Sequence, residues 1–249
     1  MSPQRVLIHP EQRQSQQIAL NAAQQRYLHR VLRLGQGDQF IALDGQGGQW
    51  LAELTTDPAA AVVVEALPPA TDTAIPAITL LAALPKGNGF DEVVRQVTEL
   101  GVSRIQPVLS DRTLIRPSDR KLERWQRIAA EATEQSERPT VPDILEPVSW
   151  QAGLKDLPAG AHYLCVTRLD APHLLNCLQQ DWPTSVTVAI GPEGGWTDAE
   201  VETALAADFQ PVSLGSNILR AVTAPMVALS LIRGVFEASA LGKAANHPA

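Results

Sequence analysis

The sequence predicts an α/β protein in two domains, a small β-barrel with one helix followed by a larger parallel α/β sheet. Three observations predict it. The stretch Pro68-Pro69-Ala70-Thr71-Asp72-Thr73-Ala74-Ile75-Pro76 lacks helical and strand periodicity and reads as a linker. Before it, short strand-like runs are separated by turn residues; after it, apolar runs alternate with segments of helical spacing. Near the C-terminus, two glycine-bearing loops each follow an apolar run and precede a helical stretch. The chain therefore divides into residues 1–70, a linker at 71–76, residues 77–240 and a tail at 241–249.

In the first domain, residues 5–8, 38–43, 49–54 and 61–67 are strand candidates. Asp44-Gly45, with Gly47 and Gly48, supplies the hairpin turn between the middle pair. Residues 21–34 read as a helix with Tyr27, Leu28, Val31 and Leu32 on its apolar side. In the second domain, residues 78–84 form a continuous apolar run, the mark of a strand covered on both faces. Phe90, Val93, Val94 and Val97 recur at helical spacing, with Asn88 placed to cap that helix and Gly101 to end it. Residues 104–109 are the next strand. A longer helix carries Leu122, Trp125, Ile128, Ala129 and Ala132 on one side. Strands at 163–166, 186–190 and 211–214 follow. Thr197 and Glu200 form a capping box for a helix to about Ala207, and Pro225 opens a last helix to about Ala238.

Composition excludes several classes. The 249 residues suffice for a substantial core, and a formal charge of −7 argues against nucleic-acid binding through bulk charge, although a local basic stripe still binds phosphate. Cys165 and Cys177 are too few for a disulfide framework, which suits a reduced, cytoplasmic protein. His9, His29, His162, His173 and His247 show no ligand spacing, so no metal is expected. No apolar run approaches the roughly 20 residues a membrane span needs, and residues 1–17 lack the apolar centre of a signal peptide.

The two loops are Gly191-Pro192-Glu193-Gly194-Gly195 and Leu214-Gly215-Ser216-Asn217-Ile218-Leu219-Arg220-Ala221-Val222-Thr223-Ala224. Gly191, Gly194 and Gly195 permit positive φ and close backbone approach to a ligand, and Pro192 stiffens the turn. The second loop offers backbone groups around Gly215, Ile218 and Leu219, apolar walls for an adenine ring, and the guanidinium of Arg220. Neither a Walker lysine nor a G-x-G-x-x-G pattern is present, so ATP and NAD lose support. Taken alone, Gly191 to Gly195 reads equally well as a plain strand-to-helix turn.

These loops resemble the cofactor-binding signatures of SPOUT-class methyltransferases, specifically the RsmE family. Further segments resemble that family in its own order: Tyr27-Leu28-His29-Arg30-Val31-Leu32-Arg33, Leu84-Pro85-Lys86-Gly87, Thr98-Glu99-Leu100-Gly101-Val102, Ser110-Asp111-Arg112, Glu134-Gln135-Ser136-Glu137-Arg138 and Val141-Pro142. The resemblance implies a PUA-like barrel, then a SPOUT methyltransferase domain with a trefoil knot, assembled as a homodimer. It implies S-adenosylmethionine as cofactor and N3 of a uridine in 16S rRNA of the small ribosomal subunit as target. The cofactor would be held by Gly191, Pro192, Glu193, Gly194, Leu214, Gly215, Ile218, Leu219 and Arg220.

Within that reading, Arg220 is the candidate for stabilising the uracil anion, or else a salt bridge holding its loop. Glu193 handles a proton, contacts cofactor or caps a helix. Thr223 orients a water or substrate group, or caps the last helix. Arg26, Arg30 and Arg33 fall at i, i+4 and i+7 and would give a basic edge for RNA phosphate, or a solvated helix face. Arg112 and Arg138 are further RNA candidates, while Trp50 and Trp125 either stack on bases or pack in cores. The chain departs from the family at Gly89 and Gln96, where basic residues are common, at Asn217 in place of an arginine, and at Val222 in place of a glutamate. Two other functions therefore stand beside the first: a SPOUT methyltransferase acting on another RNA or a ribose 2′-hydroxyl, and a non-catalytic RNA-binding assembly module.

Overall fold

The computed structural model describes residues 3–68, 75–113, 119–180 and 183–245. The expected linker lies largely outside these residues. Two compact units emerge: residues 1–71 with 133–141, and residues 72–132 with 142–249.

The first unit contains β1 (Arg5–Leu7), β2 (Arg13–Gln14), β3 (Gln17–Ala19), α1 (Ala22–Gln25), β4 (Gln39–Leu43), β5 (Gln49–Leu54) and β6 (Ala60–Ala66). Its sheet runs β1-β4-β5-β6-β3-β2, with β1 and β4 parallel and the other pairs antiparallel. The end strands β1 and β2 are not paired with each other among the described residues, so this is a half-barrel. Val6, Ile18, Leu28, Phe40, Ala52 and Leu54 fill its core. The Asp44 carboxylate shapes the β4–β5 turn by accepting from the N–H groups of Gln46 at 2.8 Å and Gly48 at 2.9 Å.

The expected helix at 21–34 begins as α and then changes winding. Asn21 and Gln24 form a reciprocal capping box, and the buried Gln24 amide also donates to the Leu7 carbonyl at 2.8 Å. From Arg26 to Val31 the winding is π, and Leu32 N–H donates to the Tyr27 carbonyl at 2.9 Å. The His29 ring lies beside the wide turn, its two nitrogens 3.0 Å from the Leu34 carbonyl and 3.1 Å from that of Pro58, and its one N–H donates to one of them.

Residues 133–141, expected inside the second domain, cluster with the first unit instead. Glu134 accepts from Leu7 N–H at 2.6 Å, Arg5 pairs with Glu137 at 2.5 Å, and Val141 N–H donates to the Gly45 carbonyl at 3.0 Å.

The second unit holds β7 (Ala77–Ala83), α2 (Gly89–Glu99), β8 (Arg104–Leu109), α3 (Asp119–Gln135), β9 (Asp143–Ile144), β10 (Val148–Ser149), α4 (Trp150–Gly153), β11 (Ala161–Cys165), α5 (Leu174–Leu178), β12 (Ser185–Ile190), α6 (Asp198–Leu205), β13 (Gln210–Val212) and α7 (Ala224–Ala245). Its strands run β10-β8-β7-β12-β11-β13, with β9 also on β8, and every pair is parallel. The central strands β7 and β12 are buried on both faces, as their unbroken apolar runs predict. From β7 the chain moves outward to β8, whereas β12 lies beside β11 on the other side. The loops leaving the carboxyl ends of β7 and β12 therefore diverge at a switch point, where open parallel sheets bind ligands.

Several local expectations need correction. Asn88 precedes α2 but its side chain caps nothing; its Oδ1 accepts from Lys121 Nζ at 2.8 Å. Gly101 does end the helix, at φ +87°. Thr197 and Glu200 make the capping box of α6 as expected. The last helix continues to Ala245, well past Ala238, so residues 241–245 of the expected tail are helical. Trp125 is core, edge-on to Phe90 with ring centres 4.6 Å apart and its indole N–H on Asp91 at 3.1 Å. Trp50 is half-buried, with the Arg13 guanidinium 4.4 Å from its ring. No described helix is long and apolar enough to cross a membrane.

Candidate active site

A cavity of about 660 Å³ opens at the carboxyl ends of β11 and β12 in the second unit. Gly191, Pro192, Glu193, Gly194, Leu214, Gly215, Ile218, Leu219 and Arg220 all line it. The two glycine loops, well separated in sequence, thus form walls of one space.

The glycines serve different purposes. Gly195 carries the positive φ of the first loop, +70°, and its N–H closes a turn on the Pro192 carbonyl at 2.8 Å. Gly191 and Gly194 are not in the left-handed region; they are needed for closeness. A Cβ on Gly191 would lie 3.1 Å from the Trp196 ring, and one on Gly194 would lie 3.1 Å from Arg112 Cδ. In the second loop Gly215 sits at φ +126° with its N–H on Ser213 Oγ at 3.1 Å, and the Ser213 hydroxyl donates back to the Gly215 carbonyl.

Arg112 belongs to this wall. Its guanidinium donates to the carbonyl of Gly194 at 2.5 Å and of Trp196 at 3.3 Å, so its hydrogen bonds hold the first loop. Behind it, the buried Glu200 carboxylate accepts from Asp111 N–H at 2.9 Å and Thr197 N–H at 2.8 Å. These two bonds tie the Ser110-Asp111-Arg112 segment to the start of α6.

Arg220 is exposed at the cavity, and its guanidinium has no ion-pair or hydrogen-bond partner among the described residues. The salt-bridge alternative for it thus finds no partner there. Glu193 is exposed, and its Oε1 accepts from Lys86 N–H at 2.9 Å. Thr223 is not among the lining residues. Its N–H donates to the Arg220 carbonyl at 2.8 Å, and its carbonyl accepts the Val227 N–H of α7 at 3.2 Å.

The remaining cations lie elsewhere. Arg26, Arg30 and Arg33 are exposed in the first unit. Arg26 and Arg30 share the π-turn, whereas Arg33 lies past its end at φ +59°, so the three do not make the continuous helical edge expected. Arg138 is half-buried in the segment that joins the first unit. Of the departures, Asn217 lines the cavity and Val222 packs against Gly89, where a Cβ would meet it at 2.9 Å. Gln96 donates along α2 to Glu92 at 3.2 Å.

Sequence reasoning missed the end of β11 and the loop after it, where Cys165, Val166, Thr167, Arg168 and Leu169 add a third wall. That stretch has no glycine signature, so nothing local announces it. Trp196 was missed too; its indole N–H donates to the Cys165 carbonyl at 3.2 Å and its ring stacks on Trp150 with centres 4.2 Å apart. Burial pushes the Cys165 thiol up to about 12, so it is a neutral wall atom and no nucleophile at neutral pH.

Known proteins match both units. An RNA methyltransferase domain model matches residues 73–233, and an RNA methyltransferase PUA domain model matches residues 20–65. The ribosomal RNA small subunit methyltransferase E of Synechocystis is 47% identical over 94% of this chain and 78% of its own length. The Bacillus subtilis protein of the same name is 31% identical over 83% of this chain and 85% of its own. A crystal structure of the Neisseria gonorrhoeae protein of that name, bound to S-adenosylmethionine, superposes with a TM-score of 0.82 at 31% identity, covering 94% of this chain and 98% of that one. The chain belongs to the RNA methyltransferases, in the ribosomal RNA small subunit methyltransferase E (RsmE) family.

Proposed function

We propose that this chain uses S-adenosylmethionine to methylate N3 of a uridine in 16S rRNA of the small ribosomal subunit. The observation that carries it is the convergence of the two backbone-rich loops on one cavity in a chain of this family. The residues present fit the cofactor. The volume lies within the roughly 300–1,000 Å³ of small-molecule sites, and Leu214, Ile218 and Leu219 offer apolar walls beside main-chain donors and acceptors. Gly191 to Gly194 and Leu214 to Leu219 would hold it, and when bound it supplies an electrophilic methyl group.

The chain's own work is to position and to handle charge. Uracil N3 attacks only once its proton has left, and the negative charge then spreads to the ring carbonyl oxygens. Arg220 is our candidate to meet that charge, being at the cavity and unpaired among the described residues, as Arg168 also is. Thr223 holds the backbone of Arg220 at the entrance to α7. Arg26, Arg30, Arg33 and Arg138 are the cations for RNA phosphate, with Arg112 supporting the loop. A homodimer, a trefoil knot and a cytoplasmic location complete the reading by family resemblance.

Labelled methyl transfer to 30S subunits from a strain lacking the gene tests this, followed by nucleoside analysis. Label recovered as 3-methyluridine is the expected result. Label in another nucleoside, or on a ribose, would shift the target and keep the enzyme class. Absence of both transfer and S-adenosylmethionine binding would leave an RNA-binding module.

A further inference from the structure

Glu193 has a definite partner that proton transfer does not require. Its Oε1 accepts from the backbone N–H of Lys86 at 2.9 Å. Lys86 belongs to the turn of residues 84–88, between β7 and α2, which bends at Gly87 with φ +68°. The other end of the turn is held as well. Gly89, which opens α2, packs so closely on Val222 that a Cβ there would come within 2.9 Å of its Cγ1. Glu193 lines the cavity, and Val222 follows two residues after Arg220, which also lines it. The turn is therefore fixed to both cofactor loops. Between its anchors the Lys86 side chain is exposed, without a hydrogen-bond or ion-pair partner among the described residues.

We propose that Glu193 is a positioning residue that fixes this turn so that the Lys86 ammonium meets an anionic oxygen of the RNA substrate beside the cavity. The inference rests on the RNA methylation reading above. A carboxylate that only accepts from a backbone N–H is replaceable by an amide oxygen, whereas a carboxylate that moves a proton is not. A lysine is a point charge, suited to a phosphate oxygen or to the carbonyl oxygen of a deprotonating uracil. The pairing of Gly89 with Val222 gives the two departures a shared reason: small against branched apolar keeps the turn seated.

The test uses the full chain, 30S subunits from a strain lacking the gene, and four substitutions. Lys86→Ala should weaken 30S binding or lower turnover about tenfold while S-adenosylmethionine affinity stays within about twofold, and Lys86→Arg should restore most of the loss. A raised KM with a shallower salt dependence marks a phosphate contact; a lowered kcat marks the uracil oxygen. At saturating S-adenosylmethionine, Glu193→Ala should match Lys86→Ala in 30S binding and turnover and speed hydrogen exchange at the Lys86 amide, and the double Ala variant should be no worse than either single. Glu193→Gln should recover activity to within about threefold. The proposal is overturned if Lys86→Ala binds and reacts like wild type, if Glu193→Gln is as impaired as Glu193→Ala, or if the Lys86 amide exchanges alike in all variants. Should the wild type bind 30S yet transfer no methyl, the reaction assigned above fails, while the binding and exchange measurements still decide this inference.

Discussion

Gly191 and Gly215 both line the cavity, yet a side chain would be costly at each for a different reason. At Gly191 the obstacle is the Trp196 ring, 3.1 Å from where a Cβ would stand. At Gly215 nothing lies within 4 Å of a Cβ, and the cost is the backbone, held at φ +126° where L side chains are strained by about 1–3 kcal/mol. A large residue there would take up open space in the cavity proposed above for the cofactor. Gly215→Trp should reduce S-adenosylmethionine affinity at least about a hundredfold with the fold retained, as read by calorimetry and circular dichroism; unchanged affinity would move the pocket elsewhere. Cys165 gives a second prediction at this scale. Its thiol is raised from 9.0 to about 12 by burial, so its share of stability is complete below pH 9 and is lost as pH rises through the folded value. Between pH 9 and 12 wild type should therefore lose stability relative to Cys165→Ala, because the unfolded thiol ionises before the folded one. Parallel melting curves for the two proteins across that window would show that Cys165 does not titrate as the buried group described.

Elements were legible wherever an apolar period was long enough to speak for itself. Thr197 and Glu200 announced α6, and Phe90, Val93, Val94 and Val97 announced α2, because caps and stripes are local. The strands β2, β9 and β10 have two residues each and no period to read. Asn88 failed as a cap because Lys121, distant in sequence, claims its oxygen. The π-turn of Arg26 to Val31 was hidden for another reason: composition is helical either way, and nothing local marks the wider winding. This has a functional consequence. Arg26→Glu with Arg30→Glu should weaken RNA binding and shallow the plot of log K against log salt by up to about two charges, more than Arg33→Glu alone. S-adenosylmethionine affinity should hold. Equal RNA affinity of the double variant and wild type at matched salt would discard this face as the RNA site.

At the scale of the molecule, the two glycine loops revealed that a site exists, but not that the loop after β11 completes it, because strand order is a long-range property. Nor was it legible that the first unit recruits residues 133–141, since nothing in Glu134 or Glu137 marks a partner so far back in the chain. That recruitment leads to the last prediction. In the first unit Leu7 N–H is satisfied by Glu134, and Gly47 N–H by the Pro139 carbonyl at 3.2 Å. A fragment of residues 1–71 keeps the core of Val6, Leu28 and Phe40 but loses both acceptors, the Arg5–Glu137 pair and the Val141 bond to Gly45. Each amide left without its acceptor costs about 1–3 kcal/mol where water does not replace it, against a total stability of only about 5–15 kcal/mol for a domain. The fragment should therefore be less stable than the same unit in the full chain by at least about 2 kcal/mol. Its Leu7 and Gly47 amides should exchange fast, and a peptide of residues 133–141 added in trans should slow them. Equal protection of these two amides in fragment and full chain would show that the half-barrel is complete without the segment. If protection instead depends on it, this unit finishes folding only after residue 141 has been made, and its order of assembly is not the order of its sequence.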